Sequence, residues 1–161
     1  MRRSVFILLI AAIASLLSAC SHDIVYSRFV PISYPDGTIT SSDKWAVDSV
    51  LRFDYAISDA AADYRMIVYV RHSERYPYQN MWLFIGDGQR QDTVEFYLAD
   101  DRGQWLGDQN HGFIEMPVLL EEEKHFPDTG AYSLTIQHGM RDSLLRGITD
   151  IGVEIIRNGE K

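Results

Sequence analysis

Leu51-Arg52-Phe53-Asp54-Tyr55-Ala56-Ile57 sets Leu51, Phe53, Tyr55 and Ile57 on one face and Arg52 and Asp54 on the other. That period of two is what a strand with one buried side requires. The alternation returns downstream. Val94, Phe96 and Leu98 alternate with Thr93, Glu95 and Tyr97; Tyr132, Leu134 and Ile136 alternate with Ser133, Thr135 and Gln137; Ile151, Val153 and Ile155 close the series. Met66–Val70 and Met81–Ile85 are apolar on both faces, as expected of central strands or strands covered on both sides. A further strand is expected over Ile24–Val30. Between these runs lie Gly86-Asp87-Gly88, Asp100-Asp101-Arg102-Gly103, Asp108 to Gly112 and Pro127 to Gly130, all turn chemistry. Only Asp59–Asp63 and Asp142–Leu145 suggest a helical turn.

Seven or eight short strands result, and the fold class is all-β. A two-sheet antiparallel β-sandwich, jelly-roll or immunoglobulin-like, is expected in preference to a closed barrel. Asp128-Thr129-Gly130-Ala131-Tyr132 resembles the corner of Greek-key sandwiches, where a tyrosine hydroxyl bonds back to the backbone. The alternative is an ordinary turn with Tyr132 as core filler.

The N-terminal residues speak to location. Met1-Arg2-Arg3-Ser4 supplies a positive start, Val5–Leu17 an apolar run, and Ser18-Ala19 small residues before Cys20, the single cysteine of the chain. This is the pattern of a bacterial lipoprotein signal: residues 1–19 are removed, and Cys20 carries a diacylglycerol and an N-acyl chain. An ordinary secretory peptide would leave an unpaired thiol in an oxidising compartment. The apolar run is also shorter than the roughly 20 residues of a membrane span. Residues 20–44 are polar and turn-rich and read as a tether holding the early strand, with the sandwich domain over 45–161.

The 142 residues from Cys20 onward suit one domain with its own core. The whole chain carries 15 basic and 23 acidic side chains; without Arg2 and Arg3 the balance is 13 against 23, or −10. No basic stripe is present, which argues against nucleic acid as a partner. An anionic bilayer would repel such a domain, so attachment to the membrane falls to the acyl chains.

No Gly-x-Ser-x-Gly elbow, His-Glu-x-x-His pair or phosphate-binding glycine loop occurs. His22, His72, His111, His125 and His138 are scattered singly and are expected to be surface or hydrogen-bonded residues. Glu121-Glu122-Glu123 before Lys124 reads as a solvated turn. No catalytic residue, metal or cofactor is assigned. Asp108-Gln109-Asn110-His111-Gly112 imitates the first half of a calcium loop but lacks the closing glutamate, so a plain turn is expected. Of Trp45, Trp82 and Trp105, Trp82 is expected to be buried in its apolar run. Trp105, between Gly103 and Gly107, is expected to be exposed and is the candidate for stacking on a ligand.

Several stretches, taken in order, carry a family resemblance. They are Arg71-His72, Tyr76-Pro77-Tyr78-Gln79-Asn80-Met81-Trp82-Leu83-Phe84-Ile85, Asp92-Thr93-Val94-Glu95 and Leu98-Ala99-Asp100. Gly103-Gln104-Trp105-Leu106-Gly107, Phe126-Pro127, Gly130-Ala131-Tyr132, Gln137-His138-Gly139-Met140-Arg141 and Gly147-Ile148-Thr149-Asp150-Ile151-Gly152 follow. Together, from about Trp45 to Ile156, they resemble the gliding motility-associated lipoprotein GldH family of Bacteroidota. The resemblance implies an envelope lipoprotein of the gliding apparatus, which is connected with type IX secretion, and not an enzyme. It implies an outer-membrane lipoprotein, with the face of the membrane left open. Its partners would be the membrane, through the anchor, and other envelope lipoproteins or proteins of that machinery.

Met and Arg are enriched at partner interfaces, so Arg71, Tyr78, Trp105, Met140 and Arg141 are expected to form a binding rim. The competing expectation is that Arg71 and Arg141 pair with acidic neighbours. The alternative function is a glycan-binding sandwich using Trp105.

Overall fold

The computed structural model describes residues 23–32, 43–110 and 112–159. Cys20 and the signal, His22, the 33–42 segment and His111 lie outside the described residues.

Among them the chain forms eleven strands. These are β1 (Asp23–Pro31), β2 (Lys44–Ala46), β3 (Leu51–Ile57), β4 (Tyr64–His72), β5 (Asn80–Gly86) and β6 (Gln91–Tyr97). There follow β7 (Asp108–Asn110), β8 (Phe113–Lys124), β9 (Gly130–His138), β10 (Leu144–Arg146) and β11 (Ile148–Arg157). Every pairing is antiparallel. One sheet runs β1-β11-β4-β8-β7, another β3-β9-β5-β6, and β10-β2 make a small ribbon.

The alternation read from the sequence is the alternation of burial. On β3, Phe53, Tyr55 and Ile57 are buried while Arg52, Asp54 and Ala56 face water. The two runs that are apolar on both faces are central: β4 lies between β11 and β8, and β5 between β9 and β6. Side chains of both larger sheets join one hydrophobic cluster, Met66, Val68, Val70, Ile151, Val153 and Ile155 from the first sheet and Phe53, Met81, Leu83, Leu134 and Ile136 from the second.

Aromatic rings close both ends of that core. At one end Tyr55 stacks on Tyr132 (6.0 Å), and Phe126 lies between Tyr64 and Tyr132. There the Tyr132 hydroxyl donates to the Asp128 carbonyl at 2.7 Å, the back-bond expected of the corner.

Several expectations change. The strand count is eleven because β2, β7 and β10 are three residues each, too short to show a period. β8 is hidden in the sequence by Pro117 and by its acidic end, so Glu121-Glu122-Glu123 is strand and not turn. Asp59–Asp63 is a turn in which the Asp59 carboxylate accepts the Ala61 N–H at 3.0 Å, and Leu144 and Leu145 pair with Ala46 and Trp45 as strand. No helix occurs among the described residues. Asp108 to Gly112, expected to be a turn, is strand over Asp108–Asn110, which pairs with Phe113–Glu115. The expected early strand is β1, the edge strand paired with β11.

On the core-averted face of the five-stranded sheet, Gly152 stands opposite Phe29 on one side and Tyr69 on the other. A Cβ on Gly152 would run into the Phe29 ring, so the missing side chain is what lets that ring lie across β11 toward Tyr69, 5.7 Å away. Gly152→Ala is therefore expected to destabilise the fold by about 1–3 kcal/mol through overpacking, read as a lowered urea midpoint with unchanged slope.

Candidate functional site

The second end of the core, opposite the Tyr55–Tyr132 cluster, gathers residues from β2, β4, β9 and the loops after β4 and β6. Trp45 is fully buried, its indole N–H donating to the Ser49 carbonyl at 2.8 Å and its ring edge-on to His138 at 5.3 Å. His72 meets Trp105 edge-on at 4.8 Å and Tyr76 at 5.8 Å. Tyr76 in turn donates to the Asn80 carbonyl at 2.8 Å and packs on Tyr78 at 5.9 Å. Gly147, with φ of +86°, turns β10 into β11 directly against the Tyr76 backbone, where a Cβ would not fit.

His72 and His138 are both fully buried, a placement that their solitary positions in the sequence did not signal. His72 Nδ1 lies 3.2 Å from the Ser73 carbonyl and His138 Nε2 lies 3.2 Å from the Trp45 carbonyl. A carbonyl only accepts, so those nitrogens carry the protons, and the opposite nitrogens have no protein partner. Burial lowers both imidazole pKa values, and the hydrogen bonds to the carbonyls oppose it only in part. The rings are neutral packing elements. His125 is different: it is exposed and its Nδ1 lies 2.6 Å from Asp63.

From this end the chain continues onto the core-averted face of the four-stranded sheet. On β5, Met81, Leu83 and Ile85 point inward, which turns Trp82 and Phe84 outward. On β6, Val94 and Phe96 pack on the core, which turns Tyr97 outward. Trp82 is 36% exposed and Tyr97 59%. The loop after β9 is fastened to this strip: Gly139 N–H donates to the Trp82 carbonyl at 2.7 Å, and Trp82 N–H points at Met140 Sδ at 3.4 Å. Gly139 fits because a Cβ there would crowd both Phe84 and Trp82. The same loop reaches Tyr78, whose hydroxyl donates to Asp142 at 2.9 Å, a bond that holds the phenol pKa above its ordinary value. Arg141 is exposed, and no ion pair engages it among the described residues.

Of the five residues expected to form a rim, Tyr78, Met140 and Arg141 thus come together beside Trp82. Arg71 does not join them. It lies on the core-averted face of the other sheet, where Nε donates to Glu115 at 2.6 Å and the guanidinium sits 3.7 Å over the Phe29 ring. The competing expectation, an ion pair with an acidic neighbour, describes it. The expected exposures of the tryptophans are exchanged. Trp105 is half-buried against His72, because the Ala99–Trp105 bridge draws its loop back onto the core. Trp82 is exposed, because among the described residues no strand covers the face of β5 opposite the core. The signal for Trp82 was the strand period itself, which places 82 and 84 opposite 81, 83 and 85.

Among the described residues no three His, Cys, Asp or Glu side chains converge as metal ligands, and no helix is long and apolar enough to cross a membrane. What fold and site define is an all-β domain of antiparallel sheets with an exposed aromatic strip. The profile of the GldH lipoprotein family matches residues 34–155, and the chain belongs to that family. It is 29% identical to the gliding motility lipoprotein GldH homolog of Christiangramia forsetii, over 94% of each chain. To the gliding motility lipoprotein GldH of Flavobacterium johnsoniae it is 28% identical, over 92% of this chain and 93% of that one. Among solved structures, dimeric latent PorU from Porphyromonas gingivalis aligns with 88% of this chain and 14% of its own length, at TM-score 0.40 and 7% identity, too loosely to bear on the fold.

The buried imidazoles give the domain a pH-dependent stability. Their folded-state pKa values lie below the ordinary 6.5, so the unfolded chain takes up more protons as the pH falls through 6.5. Stability is full above that value and declines below it. Urea midpoints measured between pH 7.5 and 5 should fall, and in a His72→Phe/His138→Phe variant the fall should be shallower.

Proposed function

We propose that the protein is a lipid-anchored, non-enzymatic interaction subunit of gliding-motility or type IX secretion-associated envelope machinery. In this reading Cys20 bears the acyl chains, the anchor sits in the outer membrane, and the two larger sheets pack as a β-sandwich. The observation that carries it is the strip of Trp82 and Tyr97 beside the Met140–Arg141 loop. It offers exposed aromatic and guanidinium groups beside a partly buried thioether, the types enriched where partners bind. Membership of the GldH lipoprotein family, and the gliding motility in the names of both relatives, supply the biological setting.

A single exposed tryptophan at the centre of an interface commonly contributes 2 kcal/mol or more. Trp82→Ala combined with Arg141→Ala should therefore lower recovery of cross-linked partners from native membranes by more than about tenfold, with circular dichroism unchanged. Undiminished recovery from the folded variant would remove this surface from the account.

A second reading, glycan binding, is favoured by the same two rings, which stand on an open sheet face as a stacking platform would. Saturable binding of the purified chain to a polysaccharide, lost in Trp82→Ala, would select it. Lipidation is tested separately. Cys20→Ala should lose fatty-acid labelling and move from the membrane pellet to the soluble fraction.

A further inference from the structure

The core is closed along one side and open along the other. Where β1 packs against β3, the Tyr26 and Tyr55 rings lie 5.7 Å apart and seal the margin. Along the opposite margin, a cleft of about 120 Å³ opens between β8 and β6, floored by Tyr55, Met66, Ile85, Val94, Leu120 and Leu134. Burial holds the Tyr55 phenol neutral, its pKa pushed up to about 12, so this floor is uncharged throughout the physiological range.

Two strand edges border the cleft, and they differ. β7 covers only Phe113–Glu115 of β8, but the uncovered remainder contains Pro117 and lies beside shifts in register with β4, two devices that discourage further pairing. β6 has neither. It pairs with β5 in unbroken register over all seven residues, contains no proline, and among the described residues forms the outer edge of its sheet. Its charged side chains are Asp92 and Glu95, both acidic. Around the cleft mouth Asp87, Asp92 and Glu121 outnumber Arg90 and Lys124, and Lys124 is already paired with Glu121 at 2.8 Å. An edge of this kind repels acidic strands and accepts basic ones.

We propose that β6 and the cleft beside it form a strand-addition site for an extended, basic segment of a partner protein. The segment adds its backbone to the free edge of β6 and seats an apolar side chain against Val94 and Leu120. Main-chain pairing supplies affinity in such sites, and the pocket and charge supply selectivity. The site shares β6 with the outward Trp82–Tyr97 face but uses the edge and the inward side of that strand, and its test uses the purified chain without any envelope component.

The probe is a fluorescein-labelled peptide of alternating lysine and valine, seven residues long, titrated into the full-length chain in neutral detergent. Saturable binding is expected, weakened about tenfold or more when glutamate replaces the lysines and weakened by added salt. Methylating alternate backbone nitrogens of the peptide removes strand pairing while keeping every side chain, and should also cost about tenfold or more. Val94→Lys should abolish binding, and the methylated peptide keeps the test valid if that variant does not fold. Absence of saturation, equal binding of the methylated peptide, or tighter binding of the glutamate peptide would overturn the proposal. So would concentration-dependent dimerisation that the peptide does not displace, which would give the edge to a second copy of this chain.

Discussion

The fold rests on the burial of every second side chain of β4, Tyr64, Met66, Val68, Val70 and His72, in a core shared with the second sheet. A strand offers only two faces, so this commitment sends Arg65, Ile67, Tyr69 and Arg71 outward and dictates what surrounds them. Arg65 pairs with Glu122 on β8, Tyr69 donates to Glu154 on β11, and Arg71 pairs with Glu115 on β8. A slip of one residue would bury two arginines and expose the core set, which is why the register leaves no freedom here. The cross-strand pairs follow from that register. They are exposed or half-exposed and contribute little individually.

The same logic explains the surface we connect with function. β5 is as apolar as β4, yet among the described residues no strand covers its outward side chains, so Trp82 stays exposed and Phe84 half-buried, with Glu95 of β6 opposite Trp82 and Tyr97 opposite Asn80. The loop after β9 is held on that strip through Gly139 and Met140, which fixes the position of Arg141 without occupying it. The surface is built on strands, and so is preorganised.

Much of this was legible in the sequence because strand period and burial are the same quantity viewed twice. β3, β4, β5, β6, β9 and β11 all announce themselves through alternation or through continuous apolarity, and the corner at Tyr132 through local turn chemistry. β8 did not, since a proline and three glutamates contradict strand propensity while its long antiparallel pairing with β4 overrides them. Tyr78, Met140 and Arg141 were recognisable as surface chemistry by residue type. That Arg71 belongs elsewhere depends on Phe29 and Glu115, which are 42 and 44 residues from it in the chain, and no local reading reaches that far. The two buried histidines carry only the signal of strand period: His72 is in phase with Met66, Val68 and Val70, and His138 with Leu134 and Ile136.

The central claim is that the Trp82–Tyr97 face meets a protein in the envelope. It is tested most directly by placing a photo-reactive phenylalanine analogue at position 97 of the lipid-anchored chain and irradiating intact cells, with position 52 on β3 as the exposed control. The account predicts a discrete heteromeric adduct from position 97, identifiable by mass spectrometry, and none from position 52. No adduct from 97, or equal adducts from both, would contradict it.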